Sequence, residues 1–309
     1  MLISKLVNEF LDYLEIEKNR SPRTRTNYDF YLRRFVEFAK NPTPKNLTHD
    51  LVRNYRLYLN RLADPRGEPL QKNTQNYHLI ALRAFLKYLA KRDIESLAAE
   101  KVELGKMPDR QVAFLDGTDL ERLLEAPLKF ASPDNLIVAL RDKGILELLF
   151  STGLRVSELC GLKRDGINLK RDEFTVRGKG SKLRVVFLSG TARDALAQYL
   201  EKRADLSPSL FVRHDRAAGG NALAEPLTPR SVQRLIAHYS RAAGITTHVT
   251  PHTMRHSYAT DLLRNGADIR SVQSMLGHSS ITTTQIYTHV TNQQLREVHK
   301  AFHSKTRDD

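Results

Sequence analysis

The chain contains one cysteine, Cys160, in 309 residues, so it can form no intramolecular disulfide and cannot build a cysteine-rich zinc site. A reducing compartment follows, and the place of Cys160 between Leu159 and Gly161 suits a buried packing role. The metalloprotease pattern His-Glu-x-x-His is absent, and no carboxylate stands at ligand spacing from the histidines, so no metal is expected. No phosphate-cradling loop of the GxxxxGK[ST] type occurs, GKGSK being too short for one, and no nucleotide cofactor is expected either. The opening stretch MLISKLVNEFLDYLEIEKNR has acidic residues throughout and no long apolar run. It is therefore neither a signal peptide nor a membrane span, and the expected location is cytoplasmic. Internal repeats and low-complexity tracts are also lacking. Acidic residues are outnumbered, 35 Asp and Glu against 49 Lys and Arg, giving a net charge of +14 and a pI near 9.8. That balance favours a polyanionic partner, with nucleic acid the first candidate.

Residues 1–102 read as one helical domain. Leu2, Leu6, Phe10 and Leu14 follow helical spacing, and Ser21-Pro22 opens a second helix whose apolar face holds Tyr28, Tyr31, Leu32, Phe35 and Phe38. Thr48 caps a third helix, and a fourth starts at Thr74 after the loop from Asp64 to Pro69. Residues 103–114, ELGKMPDRQVAF, form a linker, and 115–309 a second domain. In it, helices are expected at Asp116 to Leu124, Asp142 to Leu149, Thr191 to Glu201 and Thr228 to Ala243. Two short strands, FTV and LRVVFL, flank Gly178-Lys179-Gly180-Ser181, a hairpin with a lysine at its tip. The fold class is thus mainly α with one small β-hairpin.

The chemistry-bearing residues lie in the second domain. In TGLRVSEL, Gly153 permits a tight turn and Arg155 stands just ahead of a helix. Thr250 and Pro251 open another, with His252 and Arg255 three residues apart on one face, and Asn265-Gly266 closes it. A short helix from Ile269 to Leu276 stops at Gly277, and His278 follows; Tyr287 comes after a Ser/Thr-rich segment. Singly these residues are ordinary structural ones; together they suit one phosphate.

TGLRVSEL, PHTMRHSYAT and LGHSSITTTQIYTH resemble, in order and spacing, the signature boxes of the tyrosine site-specific recombinases, most closely the Xer type. The resemblance implies a two-domain, C-shaped clamp on duplex DNA, with a helical SAM-like core-binding domain followed by the catalytic domain. It implies Arg155 and Arg255 as phosphate-clamping arginines, Lys179 as the catalytic lysine with Lys182 the runner-up, and His252 and His278 as proton-handling groups. Tyr287 becomes the nucleophile of a 3′-phosphotyrosine intermediate. In the first domain it points to Arg23, Arg25, Lys72, Arg83 and Lys87 as DNA contacts, where charge alone would describe a solvated face. The helical tail with Leu295, Val298 and Phe302 would be donated to a neighbouring subunit, in a homotetramer on two sites or a heterotetramer with a second recombinase. Exchange would pass through a Holliday junction, with a DNA translocase as a further partner and resolution of chromosome or replicon dimers as the role. The alternatives are a mobile-element integrase or transposase and a type IB topoisomerase-like nicking-closing enzyme.

Overall fold

The computed structural model describes residues 1–63, 67–107, 113–178, 183–214 and 224–277. The chain divides into two compact units, Met1–Arg110 and Gln111–Asp309. Among the described residues no helix is long and apolar enough to cross a membrane.

The first unit is helical: α1 (Ile3–Ile16), α2 (Pro22–Phe38), α3 (His49–Arg61) and α4 (Lys72–Lys91). Ser21 accepts from the Thr24 amide and Thr48 from the Leu51 amide, so both predicted caps satisfy otherwise orphaned N–H groups. The fourth helix instead begins two residues before Thr74, with Gln71 at its cap position and no side-chain cap bond. Leu2, expected on the apolar face, precedes α1 and is exposed. Leu6, Phe10, Leu32, Phe35, Tyr55, Leu82 and Phe85 fill the core. His78 is buried there, its Nδ1 at 2.8 Å from the Thr74 carbonyl and its Nε2 at 3.2 Å from Arg34, an arrangement that requires the neutral ring; burial lowers its pKa.

The second unit is built around α6 (Leu136–Thr152), which packs against α5 (Gly117–Lys129), α8 (Gly190–Lys202) and α10 (Pro251–Arg264). The expected start of α6 at Asp142 falls in mid-helix. The charges there do not mark a boundary because they are neutralised inside: Asp142 accepts from Arg141 and from the Tyr239 hydroxyl, and Lys143 pairs with Glu147. Likewise α5 runs past Leu124 and carries Pro127 within it. The same unit also holds α7 (Val156–Cys160), α9 (Pro229–Ala242), α11 (Ile269–Leu276) and the antiparallel strands β1 (Glu173–Arg177) and β2 (Leu183–Phe187), with Phe174 opposite Val186. Cys160 is only half-buried, though burial still pushes its thiol up to about 11.

Strand β2 has an unexpected phase. Leu183, Val185 and Phe187 are exposed, while Arg184 shares the inward side with buried Val186. The sequence therefore places an arginine where a half-buried strand ordinarily carries an apolar side chain.

Candidate active site

Three local structures converge in the second unit: the turn from α6 into α7, the start of α10 and the end of α11. Gly153 ends α6 in the left-handed conformation, φ 59°, and a Cβ there would lie 2.5 Å from Tyr258 Cδ1. Only glycine fits both the backbone and the space. Two residues later Arg155 occupies the cap position of α7, where its amide donates to Glu158 Oε2 (2.8 Å) and its guanidinium to Glu158 Oε1 (2.9 Å).

Helix α10 begins where its sequence dictates: Thr250 Oγ1 accepts from the Thr253 amide, Thr253 Oγ1 accepts from the Thr250 amide, and Pro251 takes the first helical position. His252 lies exposed in the first turn, whereas Arg255 is buried at 4% exposure. Their shared helix face thus leads from solvent into the interior. Arg255 donates to the Gly153 carbonyl, two residues from Arg155, and to the Leu276 carbonyl at 2.5 Å. It fastens the α6–α7 turn to the end of α11 and satisfies a carbonyl that a helix terminus would otherwise leave orphaned. Gly277 closes α11 at φ 63°.

Sequence reasoning missed two residues of this cluster. Glu158 is 6% exposed at its side chain and is gripped from the other side by Arg184, with bonds of 3.0 and 2.8 Å. Arg184 also donates to the Met275 carbonyl at 3.2 Å. Glu158 carried a signal, since it follows Arg155 at helical i,i+3 spacing, whereas Arg184 carried none, because the inward side of β2 runs against its hydrophobic pattern.

Burial alone would raise the Glu158 pKa from its ordinary 4.5, but the bonds from Arg184 and Arg155 overcome it and hold the carboxyl at about 2. A depressed carboxylate pKa contributes stability above the unfolded value that is lost as pH falls toward the folded one. Unfolding measured against pH should therefore show the second unit weakening between pH 4.5 and 2, and Glu158→Gln should flatten that stretch. An unchanged profile in the variant would contradict the assignment.

Of the other predicted residues, Lys179, Lys182, His278, Tyr287 and the tail with Leu295, Val298 and Phe302 lie outside the described residues. In the first unit Arg23 is exposed in the first turn of α2, and Lys72 stands at the start of α4, bonded to Asn60 (2.8 Å). Arg83 is half-buried, and Lys87 lies 3.8 Å from Glu100. Arg25 is paired at the surface with two carboxylates, its Nε 2.8 Å from Glu15 and its Nη2 3.4 Å from Asp12, so part of its charge is already offset. Among the described residues no group of three His, Cys, Asp or Glu stands close enough to hold a metal.

The chain that forms this cluster has counterparts among known proteins. Residues 113–294 match the phage integrase family, and residues 7–93 match the phage integrase N-terminal SAM-like domain. The chain is 36% identical over 317 residues to the tyrosine recombinase XerC of Halalkalibacterium halodurans, covering 97% of each. It is 35% identical over 306 residues to the tyrosine recombinase XerD of Listeria innocua, covering 98% of this chain and 100% of the relative. In fold it is similar to a XerH site-specific recombinase bound to a palindromic difH substrate in a post-cleavage complex, with TM-score 0.70, 22% identity, and 96% and 84% of the two chains covered. The chain belongs to the phage integrase family. Within it, this is a tyrosine recombinase close to the Xer enzymes, which cleaves and rejoins DNA in site-specific recombination.

Proposed function

We propose that the chain exchanges strands between two specific duplex DNA sites through Tyr287, resolving chromosome or replicon dimers in the cytoplasm. The observation that carries this reading is the Arg255 bond to the Gly153 carbonyl, which brings both arginines of the sequence boxes to one turn although they are far apart in the chain. Phosphoryl transfer needs an in-line nucleophile and neutralisation of the charge that develops on the non-bridging oxygens. Forked, permanently charged guanidinium groups on Arg155 and Arg255 meet the second need. Tyr287 attacks the scissile phosphorus and displaces the 5′ oxygen, leaving a 3′-phosphotyrosine. His252 accepts the phenolic proton, His278 donates a hydrogen bond to the phosphate, and Lys179 protonates the leaving oxygen. A 5′ hydroxyl of the partner strand then attacks the phosphotyrosine, releases Tyr287 and produces the Holliday junction. Because the covalent intermediate stores the broken bond's energy, the cycle consumes no nucleotide.

The units Met1–Arg110 and Gln111–Asp309 take the roles of core-binding and catalytic domain, and their boundary falls inside the proposed linker, 103–114. Arg23, Lys72, Arg83 and Lys87 supply backbone contacts in the first, with a smaller share from Arg25 because Asp12 and Glu15 already hold it. Each neutralised phosphate releases counterions, so affinity for a specific duplex should fall by about 10³-fold or more between 50 and 200 mM salt. Filter binding or fluorescence anisotropy across that range checks it, and a nearly flat response would contradict a two-domain grip.

The active assembly is a tetramer on two sites, homomeric or shared with a second recombinase, in which each tail docks on a neighbour. Leu295, Val298 and Phe302 make an apolar stripe too short to hold a helix alone. Deleting residues 292–309 should leave single-site binding nearly unchanged and abolish paired-site complexes and complete exchange. Recombination at the full-length rate by the truncated chain would refute donation of the tail. Against a mobile-element integrase, relatives named XerC and XerD that cover nearly the whole chain support the dimer-resolution role.

A further inference from the structure

We infer that Arg184 is a positioning residue for strand cleavage: it offsets the charge of Glu158, so that Arg155 keeps its own charge for the phosphate, and it ties strand β2 to the end of α11. The inference rests on the reading of Arg155 as a phosphate ligand. Glu158 is the carboxylate bonded to Arg155, and it takes both the amide and the guanidinium. A buried carboxylate with one cationic partner would neutralise that partner and draw it away from substrate. The structure instead places a second cation against the same carboxylate. Arg184 approaches both Glu158 oxygens, at 3.0 and 2.8 Å, and its side chain is 9% exposed against 29% for Arg155. The less exposed arginine is therefore the better structural counter-ion, and the trio retains one net positive charge on its more exposed member.

The third contact of Arg184 gives it a second task. Its Nε donates to the Met275 carbonyl in the last turn of α11, next to the Leu276 carbonyl held by Arg255. A Cβ on Gly277 would lie 3.0 Å from Arg184 Cδ, so glycine is also what lets the arginine pass. One planar side chain thus joins three segments that lead, in sequence, to proposed catalytic groups: α7 from Arg155, β2 four residues after Lys179, and α11 just before His278. Lysine could not reproduce this, because an ammonium group lacks the fork that meets both carboxylate oxygens while a third nitrogen points elsewhere.

The test is single-turnover cleavage of a nicked suicide duplex, with DNA affinity measured alongside. Arg184→Met should slow cleavage about 10–100-fold, the range found when a group orienting a site ligand is removed, and change affinity less than about threefold. Arg184→Lys should recover part of the rate. In a Glu158→Gln background, where no charge needs offsetting, Arg184→Met should cost less than about a third of its factor in the wild-type background. The double variant also replaces two buried charges by neutral groups, so it is expected to fold even where the single variant does not, which circular dichroism checks. Equal costs in both backgrounds, or a rate loss matched by an equal loss of affinity, would overturn the proposal. Arg155→Ala run in parallel separates the two readings. If it cleaves normally, the phosphate-clamp reading fails; if it is inactive while Arg184→Met cleaves like wild type, only the positioning role fails.

Discussion

Arg255→Ala is expected to lose both activity and stability, and by different amounts. In cleavage assays the loss should reach about 10²–10³-fold, the cost of removing one preorganised donor from a developing phosphoryl charge. Stability should fall as well, because Arg255 is buried and supplies the donor for the carbonyls of Gly153 and Leu276. Leaving two buried acceptors unmet costs on the order of 2–4 kcal/mol. Arg255→Lys separates the two effects: its ammonium can return to one carbonyl, so denaturant unfolding should recover about half the loss, while the single-point donor restores little of the rate. A stable Arg255→Ala protein with near-normal cleavage would remove Arg255 from the site.

Tyr287→Phe should give the larger catalytic effect. The substitution removes one oxygen and leaves the ring, so specific DNA binding and paired-site assembly should persist. Cleavage should fall by at least about 10⁴-fold, since no attacking atom remains. Mixed with the tail-deleted protein, this variant also reports on assembly, because its intact tail is free to dock on the truncated partner. Residual cleavage within about tenfold of wild type would mean that another group attacks.

How far the sequence carries these conclusions depends on the element. The ends of α10 and α11 were legible because they are written in local chemistry: Thr250-Pro251 at one start, Gly277 at one stop. The same holds for Ser21 and Thr48 in the first unit. The start of α6 was not legible, because Arg141, Asp142 and Lys143 resemble a polar boundary until their partners Tyr239 and Glu147 are known, one of them nearly a hundred residues away. The arginines could be picked out by their boxes, yet the Glu158–Arg184 pairing could not, since it depends on the side of β2 that faces inward. That phase runs against hydrophobicity, with Leu183, Val185 and Phe187 outside. Tertiary packing overrides a two-residue pattern of this length.

The central claim is covalent attachment through Tyr287, and trapping tests it most directly. On a duplex nicked so that the released fragment diffuses away, the wild-type protein should accumulate as a covalent DNA adduct in EDTA without added nucleotide. Proteolysis and mass spectrometry should place the 3′-phosphoryl group on the peptide containing Tyr287 and on no other. Attachment at another tyrosine, such as the buried Tyr258 on α10, or cleavage with no adduct at all, would contradict the account.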